Sequence, residues 1–536
     1  MTENKNSQPD VLIVGAGATG AAVAWSLSEA GINVMCLEQG DWISTSDYPM
    51  DQPDWELSAS SEFHVDPNVR GLSVDYPINN TDSAIAPLMY NAVGGSTIHW
   101  GAHFPRFHPS DFKVRSLDGV ADDFPYSYDD LVPFFDLNDR MMGVSRLDGD
   151  PFYPPKSPSP MPPLSLTKVG ERLASGFDKL GWHWWPADAA IASVPYKEGR
   201  GACNYGGSCQ IGCMTKAKAS ADIAYWPAAL RAGAKLETRA RVRELTVGQN
   251  GRVKSVLYYK DGRLHEQKAH IIILACNGVG TPRLLLNSRS HQFPNGLANG
   301  SGLIGKNLMY HPAAFATGYV DEYLKSNRGP VSNSIYSHKF YETDKSNDFV
   351  RGIQLQFTHQ GGPLNQARGS FTNQPIAWGS NHHEIFKKRF NRDISVAILT
   401  EDLPEEHNQV TIDPVLTDGD GIPAPKVTYK VGENTNKLLD YGIERAKEAL
   451  TAAGAYEIKI SRVPKQAGWH LMGTARTGID PSSSVVNGWG RAHEVPNLFI
   501  VDGSVLVTSG AVNVTSTIQA IALRTADYIK QNSREL

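Results

Sequence analysis

The pattern of apolar and polar residues near the amino terminus is that of a βαβ unit. Four consecutive apolar residues, Val11–Val14, precede a glycine and predict a buried strand. We expect a helix over 19–30 and a second strand over 33–37. A strand, a turn, a helix and a second strand in this order are typical of a sheet covered by helices.

Further strand patterns are spread over the rest of the chain. Apolar runs predict strands over 242–247, 253–259, 271–275 and 497–501. Alternation of apolar and polar residues over about 315–464, for example at 354–357 and 395–399, predicts an antiparallel sheet. A helix is expected over 515–530. Strand-and-helix patterns therefore occur at the start, in the middle and at the end of the chain, with other material inserted between them.

The composition of the 536-residue chain is that of a globular protein. Hydrophobic residues make up 41% and charged residues 20%, so the chain can bury a sizeable core. The 51 Lys and Arg residues against 56 Asp and Glu residues give a formal net charge of −5. Because these totals show no basic excess, we expect no nucleic-acid partner.

The amino-terminal segment carries no recognisable export signal. It is polar, without an apolar core of the kind found in signal peptides and without an arginine pair. The longest apolar stretch falls well short of the roughly 18 residues that a membrane span requires. We therefore expect no membrane span in this chain, and a cytoplasmic location unless a partner carries the chain across the membrane.

A glycine-rich turn lies between the first predicted strand and the first predicted helix. Gly15, Gly17 and Gly20 have the GxGxxG spacing of a dinucleotide-binding turn. The first glycine allows the tight turn, the second lets the backbone approach a pyrophosphate, and the third permits close packing of helix and strand. The helix N-terminus adds free N–H groups and the positive end of its dipole. Glu38, at the end of the second strand, is placed to accept hydrogen bonds from ribose hydroxyls, but the motif does not distinguish NAD from FAD.

Four further motifs carry a resemblance to a known family. They are Val-Gly-Gly-Ser-Thr-Ile-His-Trp-Gly over 93–101, Gly-Trp-His-Leu-Met-Gly-Thr over 468–474, Val-Asp-Gly-Ser over 501–504 and Gly-Ala-Val-Asn-Val-Thr over 510–515. Together with the glycine turn they resemble the glucose–methanol–choline family of FAD-dependent oxidoreductases. Within that family the chain is most similar to bacterial sugar and polyol dehydrogenases and to pyranose oxidases. The similarity covers about 9–115, 200–312 and 400–536.

This resemblance implies an α/β fold with two domains. A Rossmann-like FAD-binding domain with a parallel sheet is expected over the discontinuous segments 9–45, 85–115, 200–312 and 465–536. A substrate-binding domain built on an antiparallel sheet, with its insertions, is expected over 46–84, 116–199 and 313–464.

The resemblance also assigns residues to FAD. Besides the glycine turn and Glu38, these are Gly94, Gly95, Thr97, His99, Val242, Asp502, Gly503 and Thr515. A paired glycine turn in this family lets the backbone approach the flavin ring. In pyranose oxidases the histidine of a similar Ser-Thr-His-Trp element is bonded covalently to the flavin, but here Ile98 stands between Thr97 and His99. A covalent bond at His99, a non-covalent contact and a packed histidine all stay open.

Two residues of the carboxyl-terminal motifs are expected to carry the chemistry. Oxidation of an alcohol by hydride transfer requires removal of the hydroxyl proton, and a neutral imidazole has a pKa suited to this task. In the family, a histidine in the position of His470 faces the flavin N5 and acts as the base. Its partner, in the position of Asn513, orients the substrate oxygen by a hydrogen bond. Without these motifs, a single histidine would more often be a satisfied core residue.

Three of the five cysteines, Cys203, Cys209 and Cys213, form a C-x5-C-x3-C pattern in a glycine-rich loop. Thiolates at such spacing suit an iron–sulfur cluster or zinc, and the residues alone also allow buried or free thiols or a disulfide. The resemblance to FAD glucose dehydrogenase subunits implies a [3Fe–4S] cluster. Such a cluster would pass electrons to a haem subunit. A haem subunit or a small chaperone-like subunit with its own signal could carry the chain to the periplasm.

The sequence thus predicts an FAD-dependent enzyme that oxidises a CH–OH group of a sugar, glycoside or polyol by hydride transfer to the flavin N5. An oxidase of the same substrates that produces H₂O₂ is the first alternative, and iron content with H₂O₂ yield distinguishes it. A flavin-containing lyase of the hydroxynitrile type is the second, and anaerobic bleaching of the flavin by an alcohol would exclude it. An NAD-dependent enzyme would be excluded by a yellow protein.

Overall fold

The computed structural model describes residues 8–50, 52, 54–330, 334–359, 361–370 and 374–532. Within them the strands are β1 (Val11–Val14), β2 (Val34–Leu37), β3 (Asn79–Ser83), β4 (Trp185–Pro186), β5 (Lys235–Glu237), β6 (Arg241–Val247), β7 (Val253–Lys260), β8 (Arg263–Gln267), β9 (Ile271–Leu274), β10 (Ala313–Tyr319), β11 (Ile335–Ser337), β12 (Ile353–Thr358), β13 (Asp393–Thr400), β14 (Gln409–Thr417), β15 (Pro423–Tyr429), β16 (Tyr456–Arg462) and β17 (Leu498–Ile500). The helices are α1 (Ala18–Glu29), α2 (Trp55–Ser58), α3 (Pro67–Arg70), α4 (Val114–Asp118), α5 (Tyr128–Met142), α6 (Lys168–Leu180), α7 (Ala221–Ala224), α8 (Trp226–Arg231), α9 (Asn277–Asn287), α10 (Pro363–Arg368), α11 (His382–Arg389), α12 (Glu433–Ala452) and α13 (Thr515–Asn532).

A fully parallel sheet joins the start, the middle and the end of the chain. Its strand order is β17-β9-β1-β2-β5, with Val11 paired to Val34 on one side and to Ile271 on the other. Val11 and Ile13 pack into a core that includes residues of α1 and α13, whereas the alternate residues of β1 pack into a second core on the other face. Because both faces are covered, β1 and β9 are apolar along their whole length, as predicted.

An antiparallel sheet faces the parallel sheet across the molecule. Its order is β16-β10-β13-β12-β11-β4, and α12 packs on β10, β12 and β13 with α6 beside it. The apolar residues of β12 belong to the core beneath these helices. Gln354, Gln356 and Thr358 alternate with them and therefore lie on the opposite face of the sheet. The predicted strands at 354–357 and 395–399 are confirmed as parts of β12 and β13.

The structure divides the region 315–464 more finely than the sequence pattern indicates. β14 and β15 are not part of the large antiparallel sheet; they form a separate sheet with β3. The reason is their packing: Val410 and Val427 contact a core that contains Ile78 and Val279 of α9, and not the core under α12. The strands predicted over 242–247 and 253–259 form β6 and β7, which continue into β8 as another three-stranded sheet.

A parallel sheet together with separate antiparallel sheets confirms the predicted α/β class, while the exact domain boundaries stay a prediction. None of the helices in the described part of the chain is long and apolar enough to cross a membrane.

Candidate active site

A cleft of about 350 Å³ lies where the carboxyl ends of the parallel strands face the antiparallel sheet. The predicted site residues that line it are Gly15, Gly17, Glu38, Gly95, Thr97, His99, Val242, His470, Asp502, Gly503, Asn513 and Thr515. Gly20 and Gly94 pack behind its wall, and the three cysteines of the C-x5-C-x3-C loop are not part of the lining. Tertiary folding thus brings most of the predicted residues to one place.

In the turn after β1, a glycine is sterically required at two of the three positions, and there is open space beside the third. Gly15 has φ +102°, and a Cβ there would lie 2.5 Å from the Ala275 carbonyl oxygen. A Cβ on Gly20 would lie 2.0 Å from the Gly15 carbonyl oxygen. At Gly17 the nearest atom to an added Cβ is the Gly95 Cα, at 4.0 Å. Gly17 therefore leaves space in the cleft wall where a ligand can approach the backbone.

The N-terminus of α1 can bind an anion. No side chain caps it, and its first turn contains no acidic residue, so its N–H groups and dipole are available to a phosphate. Glu38 lies beside it, and its carboxylate accepts hydrogen bonds from the N–H groups of Ala16 (2.8 Å) and Gly40 (2.9 Å). Burial raises the pKa of Glu38, and these backbone hydrogen bonds oppose the rise. Each carboxylate oxygen keeps a further lone pair for a hydroxyl donor.

The paired glycines form a tight turn against α7. Gly94 has φ +99°, and a Cβ there would lie 2.7 Å from Asp222 Oδ1. Thr97 Oγ1 donates to the Gly94 carbonyl (2.5 Å) and accepts from the Ala221 N–H (2.9 Å). The Thr97 hydroxyl is thus engaged in fixing the turn that carries Gly95 into the cleft wall.

His99 presents one ring nitrogen that has no partner. Its Nδ1 donates to the Gln210 carbonyl oxygen, and its ring packs edge-on against Tyr90 at 4.1 Å between centroids. Its Nε2 is buried and has no hydrogen-bond partner within the described residues. Burial lowers the pKa of His99 to about 3, so the imidazole is neutral near pH 7. A neutral ring that donates from Nδ1 keeps a lone pair on Nε2.

Asp502 ties the end of β17 to α9. Its carboxylate accepts hydrogen bonds from the Asn277 N–H (3.1 Å), from Thr281 Oγ1 (2.5 Å) and from the Ser504 N–H (2.9 Å). Farther along the cleft, the N-terminus of α13 reaches the lining at Thr515. A second helix dipole therefore has its positive end at the cleft.

His470 forms a hydrogen bond with a second histidine, His311. The two Nδ1 atoms lie 2.7 Å apart. The Nε2 of His311 donates to the carbonyl oxygens of Gly510 (2.7 Å) and Ser509 (3.0 Å). Burial, and to a lesser degree the neighbouring His311, lowers the pKa of His470 well below its ordinary value. His470 is thus a neutral imidazole in the cleft wall.

Asn513 is oriented by Gln356 of β12. Gln356 Nε2 donates to Asn513 Oδ1 at 2.8 Å. Because the amide oxygen of Asn513 is engaged by the protein, its NH₂ group is the part left to donate to a ligand. Both side chains line the cleft that also contains His470.

Comparison with known proteins identifies the family. Family models described as GMC oxidoreductase match residues 174–313 and 404–522, and one described as FAD dependent oxidoreductase matches 10–48. The chain is 40% identical to the 2-methyl-1,2-propanediol dehydrogenase of Mycolicibacterium austroafricanum, over 99% of this chain and 96% of that protein. The chain belongs to the GMC oxidoreductase family.

Two further comparisons concern the sequence and the fold. The fructose dehydrogenase large subunit of Gluconobacter japonicus is 29% identical over 99% of both chains. The crystal structure of pyridoxine 4-oxidase from Mesorbium loti shares the fold, with a TM-score of 0.64 at 19% identity over 97% of this chain and 99% of that chain. The protein is therefore an FAD-dependent oxidoreductase that acts on CH–OH groups, as the sequence predicts.

The cleft of this GMC oxidoreductase fits FAD. One end offers the uncapped N-terminus of α1, the open backbone at Gly17 and the carboxylate of Glu38, which suit a pyrophosphate and a ribose. The other end offers the N-terminus of α13, where an electron-accepting ring gains from a positive dipole end.

Three polar residues of the cleft that lie close to His470 or Asn513 were not predicted from the sequence: His311, Gln356 and His103. His311 lies outside the motifs used for the prediction, and Gln356 was visible only as one polar position of an alternating strand. His103 follows the 93–101 motif, and both of its ring nitrogens are buried without a partner in the described residues. Burial lowers the pKa of His103 to about 3. Only the fold reveals that these side chains face His470 and Asn513.

The structure gives the predicted iron–sulfur site no support. Across the described residues, no three or more His, Cys, Asp and Glu side chains are grouped as a metal ion requires. None of the five cysteines forms a disulfide in the described structure. Cys203 Sγ accepts a hydrogen bond from the Tyr205 N–H (3.4 Å), and Cys213 Sγ contacts Thr215 Oγ1 (3.4 Å). Burial raises the pKa of the metal-free Cys203 thiol to about 12.

Proposed function

We propose that this GMC oxidoreductase oxidises a small neutral polyol or sugar, with His470 as the base and Asn513 as the donor that holds the hydroxyl oxygen. The observation that carries the proposal is the orientation of these two side chains. Nδ1 of His470 is hydrogen-bonded to His311, and the amide oxygen of Asn513 accepts a hydrogen bond from Gln356. The Nε2 acceptor of His470 and the NH₂ donor of Asn513 are therefore left for a substrate hydroxyl group in the same cleft.

The charges of the cleft support a neutral substrate. Among the described residues that line it, the charged side chains are Glu38, Arg243, Arg283 and Asp502, and all belong to the side predicted to bind FAD. The antiparallel sheet contributes uncharged groups, among them Phe315, Gln356 and Thr358. A carboxylate substrate would require a cationic partner on this wall. The similarity to a 2-methyl-1,2-propanediol dehydrogenase favours small diols within the polyol class.

The proposed chemistry divides the two hydrogens of the CH–OH group. FAD, when bound, accepts the hydride from the carbon. His470 Nε2 accepts the hydroxyl proton, and the Asn513 NH₂ group donates to the oxygen as it becomes a carbonyl oxygen. The buried surroundings of His470 keep its imidazole neutral before the reaction, which is the state a base requires.

An anaerobic screen tests the substrate class. Purified yellow protein is mixed with 1,2-diols, glycerol, glucose and gluconate in the absence of O₂, and bleaching of the flavin band is recorded. We expect bleaching by neutral diols or sugars and none by gluconate. Bleaching by gluconate alone would contradict the neutral substrate, and a flavin that no alcohol bleaches would favour the lyase alternative.

We further propose that His99 contacts FAD through Nε2. The support is a buried ring nitrogen in the cleft wall whose lone pair has no protein partner. Acid precipitation decides whether the contact is covalent. Colour retained in the wild-type pellet and lost from the His99→Ala pellet means a covalent bond, whereas a colourless wild-type pellet means a non-covalent contact.

The electron acceptor is tested by iron content. The [3Fe–4S] hypothesis for Cys203, Cys209 and Cys213, with a haem or chaperone-like partner subunit, draws on the resemblance and on a relative whose name marks it as one subunit of a complex. About three irons per chain in anaerobically purified protein would support a cluster. Iron-free protein that reduces dyes and yields H₂O₂ would instead make the protein an oxidase.

A further inference from the structure

The contact between His311 and His470 is set by the backbone on both sides. Met309 and Met472 form an isolated antiparallel bridge, with N–H to carbonyl distances of 3.0 and 3.1 Å. His311 lies two residues after Met309, and His470 lies two residues before Met472. Because side chains in an extended pair repeat with a period of two, the bridge places the two imidazoles on the same side and opposite each other. Their ring centroids are 4.8 Å apart.

The ring nitrogen of His311 that points away from His470 faces two carbonyl oxygens, which can accept a hydrogen bond but cannot donate one. Its Nε2 faces the oxygens of Gly510 and Ser509. Ser509 is itself held, because its hydroxyl donates to the Asp402 carbonyl (3.0 Å) and accepts from the Asp402 N–H (2.8 Å). Only an N–H on Nε2 of His311 satisfies this site.

These two carbonyl oxygens decide where the protons of both rings lie. Burial lowers the pKa of His311 to about 4, so the ring is neutral near pH 7 and carries one N–H, which is on Nε2. Its Nδ1 is then an acceptor, and the hydrogen between the two Nδ1 atoms belongs to His470. A neutral His470 with its hydrogen on Nδ1 has its lone pair on Nε2. The other tautomer of His470 would set two lone pairs against each other at 2.7 Å in a buried site.

We propose that His311 is a positioning residue that fixes His470 in the tautomer with a free Nε2 lone pair and thereby makes it competent as the base. This inference rests on the proposed role of His470. His311 touches neither the substrate nor the transferred proton in this scheme. It acts through the hydrogen bond to Nδ1 of His470, in the way that an outer partner of a functional histidine commonly sets its tautomer.

Two substitutions separate this role from simple packing. In His311→Gln, the amide nitrogen can donate to the Gly510 carbonyl, which turns the amide oxygen towards His470 as an acceptor. In His311→Leu, the side chain keeps its bulk and offers no acceptor. We expect flavin reduction in stopped-flow experiments to slow by about 10- to 100-fold in the Leu variant. The Gln variant should stay within about threefold of the wild type, with substrate Kd little changed in both.

His359→Leu is the matched control. His359 is another buried imidazole whose Nδ1 donates to a backbone carbonyl, that of Ser326 at 2.9 Å, and burial lowers its pKa to about 4 as well. Its other ring nitrogen contacts Thr167 and not His470. We expect wild-type reduction per bound FAD in this variant, because a buried imidazole is lost without any change at His470.

The outcomes are distinguishable. A Leu variant that reduces its flavin at the wild-type rate, or a Gln variant as slow as the Leu variant with full FAD content, would overturn the positioning role. Where the Leu variant retains no FAD, His311→Met takes its place. A wild-type rate in His470→Ala would instead remove the base itself, and with it the proposed function.

Discussion

The two ends of the cleft are built from different parts of the chain. The end assigned to the ADP part of FAD consists of backbone groups from one short turn, with Glu38 one strand later. The end proposed to carry the chemistry consists of side chains from distant positions, in two hydrogen-bonded pairs: His311 with His470, and Gln356 with Asn513. The first end depends mainly on backbone that side chains leave open, together with one carboxylate, and the second depends on the orientation of its side chains.

Because of this difference, we expect substitutions at one end to affect FAD binding and substitutions at the other end to affect the rate of the reaction. A change in the glycine turn should alter FAD binding and leave the reaction of the remaining holoprotein intact. A change in either side-chain pair should slow the reaction and leave the FAD content intact. The following predictions test this separation.

The largest effect is expected at the base. His470→Ala should slow flavin reduction by about a hundredfold or more, because general bases typically contribute 10²–10⁴ in rate. The measurement is anaerobic stopped-flow reduction with the best substrate, with FAD content from the visible spectrum as the control. Loss of FAD together with activity would show that the two ends are not separable here.

The glycine turn offers a pair of changes with different outcomes. Gly20→Ala should destabilise the protein itself by about 2 kcal/mol or more, because its Cβ would meet the Gly15 carbonyl oxygen at 2.0 Å. Gly17→Ala meets no protein atom closer than 4.0 Å. It should leave the apoprotein's thermal midpoint unchanged and weaken FAD binding by about tenfold, or ~1.4 kcal/mol. Equal midpoints for the two apoproteins would contradict the packing argument.

The amide pair should have a smaller effect on chemistry. Gln356→Leu removes the donor that holds the Asn513 oxygen, so kcat/KM should fall by about tenfold. Gln354→Leu is the control on the same face of β12, because Gln354 contacts His338 instead. Equal losses in both variants would mean that the effect comes from the strand and not from Asn513.

Glu38→Gln should change FAD affinity by only a few-fold, on the order of 1 kcal/mol for one impaired hydrogen bond. The amide keeps one acceptor but sets an NH₂ group against the N–H of Ala16 or Gly40. Titration of apoprotein with FAD measures the affinity. A slower reductive step in the fully loaded variant would count against the separation.

The smallest change is expected with pH. Because burial lowers the pKa of His470, its neutral form persists below the ordinary imidazole value of about 6.5. The flavin reduction rate should therefore stay level from alkaline pH down through 6.5 and fall only at lower pH. An acid limb centred at or above about 6.5 would contradict a buried neutral base.

Much of the fold was predictable because its signals are local. The buried run Val11–Val14 and the glycine turn specify a strand and a helix N-terminus within a few residues, and both form as predicted. The departure of β14 and β15 from the large antiparallel sheet was not predictable. Alternation shows that a strand has one buried face, but not which helix covers it.

The sequence alone determined the family, the nucleotide turn and the candidates His470 and Asn513, because each belongs to a motif whose members are neighbours in the chain. The tertiary structure decided which atoms of those candidates are free to act. His311 and Gln356 reach them from segments more than a hundred residues away. Which atom donates in a hydrogen bond between such segments depends on how the segments are aligned and on which side chains are buried. A short stretch of sequence does not specify either property. Within the described fold, the three cysteines that are close in sequence do not form a group that could hold a metal ion.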